Sequence, residues 1–328
     1  MDFRLDDDQV ALRDAVDGFC SARYPLDTIG GREGAPLTAE RWRELADLGV
    51  FGLLVPDSDG GLGLGLIEAA VVFEQLGLHL VEGPILWSTL GATVLGGATD
   101  GTAIVGGYDA TAALDGEPIL VEHAADLDIL LVLRHDGVFA IDRDDLPTID
   151  ALEPLDPLTP IGQFAELPSG TLVASAGRVQ RFRSEAQVLT AAMLLGVSDA
   201  ALTVARDYSL EREQFGQPIA TFQALKHMMA DMFVRTGLAR SATYAAAAVL
   251  DDPEVGHLER SVSAAKLLAG EAAVENARAA VQVLGGMGFT WDMLPNHLLK
   301  RSWVLEQSFG SSSAHALAIS ASLAGEAR

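Results

Sequence analysis

The stretch LEREQFGQPIATFQALKHMMADM, residues 210–232, carries the features that decide the fold. It brings Arg212, Phe215, Gly216 and Gln223 into a short loop and the beginning of a helix. A rigid guanidinium fork binds phosphate in two-point geometry, and a planar amide beside an aromatic ring suits a flat heterocycle. The alternative reading is an ordinary amphipathic helix that follows a tight turn.

The composition limits the class of protein. A chain of 328 residues that is 49% hydrophobic can bury a large core, as two domains or one composite fold. Its formal net charge of -24 repels phosphate backbones and argues against a nucleic-acid partner, although a local arginine site can still hold an anionic cofactor. The single cysteine, Cys20, forms no intrachain disulfide and suits a reducing cytoplasm.

The sequence gives no signal for a leader, a membrane span or a metal. The N-terminal residues MDFRLDDDQVAL have neither a basic segment nor an apolar one, so we expect no signal peptide. The apolar run near Val188–Val197 is too short to cross a bilayer, so we expect no membrane association. The seven histidines and the cysteine show no metal-ligand spacing. A cytoplasmic location is predicted.

Residues 1–100 are predicted to be helical. Asp6 and Gln9 form the pattern of a capping pair ahead of the first apolar stripe. Glycine, a frequent residue at helix C-termini, stands at the end of each later segment. The later helices are predicted from about Thr38 to Gly49, Leu66 to Gly77 and Pro84 to Gly96.

The remaining chain changes character twice. Residues 101–180 contain five short β-like runs between Asp, Gly and Pro turns, which predict a small antiparallel β-domain. Residues 181–328 return to helical periodicity, and long helices this apolar pack into a bundle. One of these helices is predicted from about Leu258 to Leu284. The predicted fold is mainly α with a small β-domain, in three parts divided at residues 100 and 180.

A second motif, AVQVLGGMGFT, occupies residues 280–290. Gly285, Gly286 and Gly288 follow Gln282, and glycine lets a backbone approach a pyrophosphate closely because it has no Cβ. The alternative reading is a helix C-cap followed by a tight turn.

A third glycine-rich segment, with Gly61, Gly63 and Gly65, superficially resembles a Rossmann turn. Its spacing is GxGxG instead of GxGxxG, and the flanking chain is helical. We therefore exclude a dinucleotide-binding βαβ unit there.

Taken as whole strings, these motifs resemble those of the acyl-CoA dehydrogenase family of flavoenzymes. Residues 210–232 resemble the family's RxxFG…Q signature, and residues 280–290 resemble its QxxGGxG turn. Residues 42–77 are similar to its early helices and the glycine loop between them. The resemblance implies an N-terminal helical domain, a reduced antiparallel β-domain and a C-terminal four-helix bundle that contacts FAD and forms oligomers.

The resemblance also implies a cofactor and a reaction. In this family FAD lies at the interface of two chains, one of which supplies the catalytic glutamate. That base takes the α-proton of an acyl-CoA thioester, a hydride passes to the flavin, and an electron-transfer flavoprotein takes the electrons. Here the residues implied to contact a neighbour's FAD are Arg212, Phe215, Gln223, Gln282, Gly285 and Gly286.

Two departures from the family pattern concern catalysis. The segments that open the family's β-domain and hold the flavin ring are missing. Alignment on Arg301 places Gly310 where the glutamate stands, so no catalytic residue is predicted in this chain. Glu185, beside a position where some members carry the base, and Glu306, about one turn before Gly310, are the alternative carboxylates. His227 is predicted to be a packed or interface histidine.

These departures resemble the shortened subunit of heteromeric, α2β2 acyl-CoA dehydrogenases of steroid-degrading bacteria. The resemblance implies a partner subunit that carries the glutamate and a substrate that is a steroid side-chain CoA ester. Two alternatives remain open. One is a self-sufficient homomeric dehydrogenase that uses Glu185 or Glu306, and the other is a catalytically dead scaffold subunit.

Overall fold

A computed structural model gives the fold. The ranges that it describes are 5–95, 98–113, 116–291 and 293–326.

The described residues pack as two compact units. The bundle unit is drawn from residues 1–31, 70–81 and 187–328, and the sheet unit from residues 32–69 and 82–186. The predicted three-part division follows the order of the chain instead of spatial packing, and it stays a prediction.

The first third of the chain is helical, as predicted. Gln9 N–H donates to Asp6 Oδ1 at 2.8 Å and Asp6 N–H donates to Gln9 Oε1 at 3.1 Å, which confirms the capping pair. The predicted stop at Gly96 lies outside the described residues. The helices are α1 (Asp7–Arg23), α2 (Ala39–Asp47), α3 (Leu66–Leu78) and α4 (Ile85–Leu95).

The middle of the chain forms short strands. Their bounds are β1 (Val105–Asp109), β2 (Ile119–Glu122), β3 (Ile129–Arg134), β4 (Gly137–Asp142), β5 (Asp150–Leu152), β6 (Ile161–Phe164) and β7 (Thr171–Ser175). One sheet has the order β1-β3-β4-β7 and the other has the order β2-β6-β5.

Two features of these sheets differ from the prediction. Strands β1 and β3 pair in parallel, whereas the other pairs in both sheets are antiparallel as expected. Strands β5 and β6 lie among prolines, where the sequence predicts only breaks. Each is too short for its period-2 pattern to be recognised.

The last part of the chain is the helical bundle that the sequence predicts. Its helices are α5 (Ala176–Glu211), α6 (Gln223–Asp251), α7 (Leu258–Leu284), α8 (Leu294–Gln307) and α9 (Ser312–Glu326). Helix α7 packs against α6, α8 and α9. Its buried face is rich in alanine, which lets neighbouring helices approach closely.

A buried polar network fixes the register of three bundle helices. Asn276 on α7 donates from Nδ2 to Ser198 Oγ at 2.8 Å, to Thr236 Oγ1 at 3.0 Å and to the Met232 carbonyl at 3.0 Å. A fully bonded buried amide is specific because any slip leaves polar atoms unpaired.

One helix of the described chain is long and apolar enough to cross a membrane by length and composition alone. It is α5, and 78% of its apolar window is buried inside the fold. The apolar run near Val188–Val197 is thus part of a longer helix than the sequence indicates. A mostly buried core helix of a water-soluble protein meets the same criteria, so the finding is weak support for a membrane span.

Candidate functional site

The loop after α5 is a tight hairpin that presents an aromatic ring. Strands β8 (Glu213–Gln214) and β9 (Gln217–Pro218) pair, and both residues between them have positive φ, 55° at Phe215 and 77° at Gly216. Two successive positive φ angles define a type I′ turn, which favours glycine. The Phe215 side chain is 92% exposed and contacts Phe222 edge-on, with ring centroids 6.1 Å apart.

The polar residues of this motif are exposed. Within the described part of the chain, the Arg212 guanidinium forms no ion pair or hydrogen bond. Gln223 is the first residue of α6, and its Nε2 lies 3.3 Å from Nε2 of His227. His227 is exposed, so it is not a packed histidine of the bundle unit. The arrangement leaves Arg212 available to an anion outside the chain.

The glycine turn after α7 has an open side and a packed side. Gly285 has φ 65°, and a Cβ added to Gly285 or Gly286 would meet no atom within 4 Å. A Cβ at Gly288 would lie 2.6 Å from the Val281 carbonyl oxygen. Gly288 is therefore required for packing, while Gly285 and Gly286 expose backbone as the motif predicts. The Gln282 side chain is exposed beside them.

The two motifs make no direct contact with each other in the described chain. Among the described contacts, no hydrogen bond or ring contact joins Arg212, Phe215 or Gln223 to the glycine turn. Both motifs belong to the bundle unit and are exposed to solvent.

The loop between α8 and α9 contains Gly310, the position where the sequence predicts that the family's glutamate is missing. Phe309 and Gly310 both have positive φ, 56° and 106°. A Cβ at Gly310 would lie 3.0 Å from Nε2 of His315, which also contacts the Phe309 carbonyl at 3.2 Å. The His315 ring therefore occupies the space into which a side chain at position 310 would extend.

Lys266 anchors the same loop, and sequence reasoning missed it. Its side chain is fully buried on α7, and Nζ donates to the carbonyls of Leu305, Glu306 and Gly310 at 3.0, 2.8 and 3.2 Å. Three donors thus meet three acceptors, two of them at the C-terminus of α8, where a cation is favourable. Burial lowers the pKa of Lys266 to about 7, although the charge of Glu306 opposes the shift.

Both alternative carboxylates contact other groups of the chain. Glu185 is buried and accepts from Arg178 Nη2 and Arg181 Nε, both at 2.7 Å. Because two guanidinium groups neutralise it, taking a proton would break both ion pairs. Glu306 accepts the backbone N–H of Ser312 at 2.6 Å and so caps the start of α9. Across the described ranges, no three His, Cys, Asp or Glu side chains are placed to hold a metal ion.

Family models match both ends of the chain. The acyl-CoA dehydrogenase N-terminal domain matches residues 6–98, and the acyl-CoA dehydrogenase C-terminal domain matches residues 178–324. The acyl-CoA dehydrogenase IpdE2 of Mycolicibacterium smegmatis is 32% identical over 265 residues, which cover 76% of this chain and 77% of the relative.

Solved structures share the fold. The ChsE4-ChsE5 complex from Mycobacterium tuberculosis matches with a TM-score of 0.86 at 24% identity and covers 99% of each chain. A variant of the Tcur3481-Tcur3483 steroid ACAD matches with a TM-score of 0.83 at 21% identity and covers 98% of this chain and 99% of its own.

Proposed function

The chain belongs to the acyl-CoA dehydrogenase family, and we propose that it is the subunit that completes the FAD site of a partner while lacking a base of its own. The observation that carries this proposal is the loop at Gly310. A glycine cannot take a proton, and the His315 ring fills the space where a longer side chain would lie. The two other candidate carboxylates are occupied by ion pairs or capping.

FAD is the cofactor of this family, and the exposed residues of the bundle unit fit it. The unpaired Arg212 guanidinium would hold a phosphate, and the open backbone of Gly285 and Gly286 would approach the pyrophosphate. Phe215 and Gln223 would flank the flat adenine ring, and Gln282 would add an amide contact. When bound, FAD supplies the acceptor for the hydride of the substrate.

The proposed reaction is the α,β-desaturation of an acyl-CoA thioester. The α-proton would pass to a glutamate of the partner subunit, because this chain offers no free carboxylate at the corresponding loop. We propose a steroid side-chain CoA ester as the substrate, supported by the shared fold with the Tcur3481-Tcur3483 steroid ACAD.

The proposed assembly is an α2β2 complex in the cytoplasm. Its support is the shared fold with one chain of the ChsE4-ChsE5 complex and the exposure of both FAD-contacting motifs. An electron-transfer flavoprotein would take the electrons. The single cysteine, Cys20, is buried and forms no intrachain disulfide, which suits a reducing compartment.

The decisive experiment is the replacement Arg212→Ala in the chain co-expressed with its partner subunit. We expect the flavin-to-protein ratio to fall severalfold, because the phosphate loses its two-point ligand. The matched control is Arg206→Ala, which removes an exposed arginine near the same helix end that pairs with its neighbour Asp207. Unchanged flavin content in Arg212→Ala would contradict the proposed site.

The homomeric alternative is tested by the chain alone. A full flavin complement and turnover without any partner would support it, and Glu185→Gln and Glu306→Gln would then identify the base. A flavin-free chain that gains flavin only with its partner supports the shared site. If replacements in both motifs leave the flavin content of the complex unchanged, the result would instead indicate a scaffold subunit.

A further inference from the structure

The bundle unit contains a cavity that none of the six predicted FAD-contacting residues lines. Helices α1, α3, α5 and α6 border it, and its volume is about 700 Å³. That volume lies within the range of small-molecule sites, which is roughly 300–1,000 Å³.

The wall of the cavity includes a buried amide that lacks a partner. Gln75 on α3 is only 5% exposed, and within the described ranges its side chain forms no hydrogen bond. The polar atoms of Gln75 are not sealed from solvent, so they face the open space of the cavity. The Gln75 amide therefore offers a ligand in the cavity one carbonyl oxygen and two N–H donors.

The cations of the cavity are already used by its own carboxylates. Arg240 Nη2 donates to Glu74 Oε1 and to Asp199 Oδ2, both at 2.9 Å. Arg13 donates to its neighbour Asp14 at 2.7 Å. Burial by itself lowers the pKa of Arg240, but Glu74 and Asp199 outweigh burial and raise it, so Arg240 stays charged. The Nε and Nη2 groups of both arginines are thus directed at carboxylates of the chain itself.

The hydroxyl of Tyr244 also donates its hydrogen bond within the chain. It donates to Glu74 Oε2 at 2.5 Å. Burial and the charge of Glu74 raise the pKa of Tyr244, so the hydroxyl keeps its proton. Its oxygen keeps a lone pair that can accept a hydrogen bond from a ligand.

The lining of the cavity has more hydrogen-bond acceptors than donors and a net negative charge. Four carboxylates and two guanidinium groups line the cavity, so its formal charge is 2 − 4 = −2. Asp17 uses Oδ1 to contact Nε2 of His79 at 2.8 Å, and Asp199 uses only Oδ2. Their other carboxylate oxygens form no hydrogen bond within the described chain. Such a lining attracts a cation that carries several N–H donors.

We propose that this cavity binds a small organic cation whose amine or guanidinium groups are joined by a methylene chain. The nitrogen groups contact the carboxylates of Asp17 and Asp199 and the Gln75 carbonyl. The methylene chain lies against Leu5, Val10 and Leu78, which form the apolar part of the lining. A fully hydrated inorganic cation would leave that apolar part and the amide unused.

The test is titration calorimetry of the full chain, alone and with its partner, using agmatine and spermidine as probes. We expect saturable binding at one site per chain. Gln75→Leu removes the amide while keeping bulk, and Asp17→Asn removes one carboxylate at a half-exposed position. Each should weaken binding at least tenfold.

The controls distinguish binding at a specific site from non-specific electrostatic attraction to an acidic protein. Asp144→Asn removes an exposed carboxylate of the sheet unit and should leave the affinity unchanged, and 1,4-butanediol should not bind. Equal weakening in all three variants, or no heat from either cation at millimolar concentration, would overturn the proposal. Because binding is measured without flavin turnover, its failure is distinguishable from failure of the proposed function.

Discussion

At the scale of single residues, Gly310 is the position where we predict that the catalytic base is missing. Its φ of 106° is a conformation that disfavours any residue with a Cβ, and His315 closes the space beside it. Restoring a glutamate at this position alone would therefore place a strained side chain against a buried ring. The missing carboxylate is a prediction from the sequence. The structure adds the positive φ and the close contact with His315 that a side chain at this position would meet.

We predict that Gly310→Ala destabilises the protein by about 1–2 kcal/mol, because of the positive φ and the contact with His315. The measurement is the midpoint of urea-induced unfolding. The matched control is Gly286→Ala, which has open space and no positive φ, and should change stability by less than about 0.5 kcal/mol. Equal midpoints for both variants would contradict the assigned strain.

At the scale of elements, Lys266 joins three pieces of the bundle. It lies on α7 and binds the C-terminal carbonyls of α8 and the loop that leads to α9. Glu306 continues this connection by capping the first turn of α9. Contacts from α7 and from Glu306 thus hold the loop at Gly310 on both sides.

We predict that the stability advantage of the unchanged chain over Lys266→Met grows as pH rises from about 7 to 10.5. The pKa of Lys266 is lower in the folded chain than in the unfolded chain, so between these two values only the unfolded chain binds the proton. Proton binding therefore favours unfolding, and raising the pH weakens that effect. Below pH about 7 the buried ammonium carries its full desolvation cost. Unfolding free energies across this pH range provide the measurement.

Lys226→Met is the control, because Lys226 is exposed on α6. Its stability difference from the unchanged chain should stay nearly constant over the same pH interval. A pH-independent difference for Lys266→Met would show that Lys266 titrates as an ordinary exposed lysine.

At the scale of the whole molecule, the exposed aromatic side chains mark the surface that would meet a partner. Phe215 and Phe289 belong to the two motifs that are predicted to contact FAD, and Trp291 follows the glycine turn. Trp291 is 62% exposed, and the other three tryptophans are less exposed. Exposed aromatic groups of this kind are enriched at protein interfaces.

We predict that association with the partner subunit shifts the tryptophan emission of this chain to shorter wavelength, because Trp291 becomes buried. Trp291→Phe should remove the shift while the complex still forms, as followed by its mass in light scattering. Trp303→Phe, at a half-buried position, should leave the shift in place. A complex that forms without any shift would place the interface elsewhere.

Local signals explain why much of the fold was predictable. The capping pair at Asp6, the glycine that follows α7 and the helical periodicity each depend on residues a few positions apart. The predicted stop at Gly77 is wrong, because α3 continues through it to Leu78. The ion pair of Arg181 with Glu185 has the four-residue spacing of a helix and lies within the region that the sequence predicts to be helical. Strands β5 and β6 were missed because three or four residues give no clear period.

The sequence by itself determined the family, the mainly helical fold and the two motifs that expose Arg212 and the glycine turn, because each is a local string with its own backbone geometry. Only the tertiary structure decided that His315 closes the space at Gly310, that Lys266 anchors the loop, and that Gln75 faces an acidic cavity. These groups meet through packing between separate helices. Spacing along a chain fixes which face of a helix a residue occupies, but the partner it meets depends on how the helices pack.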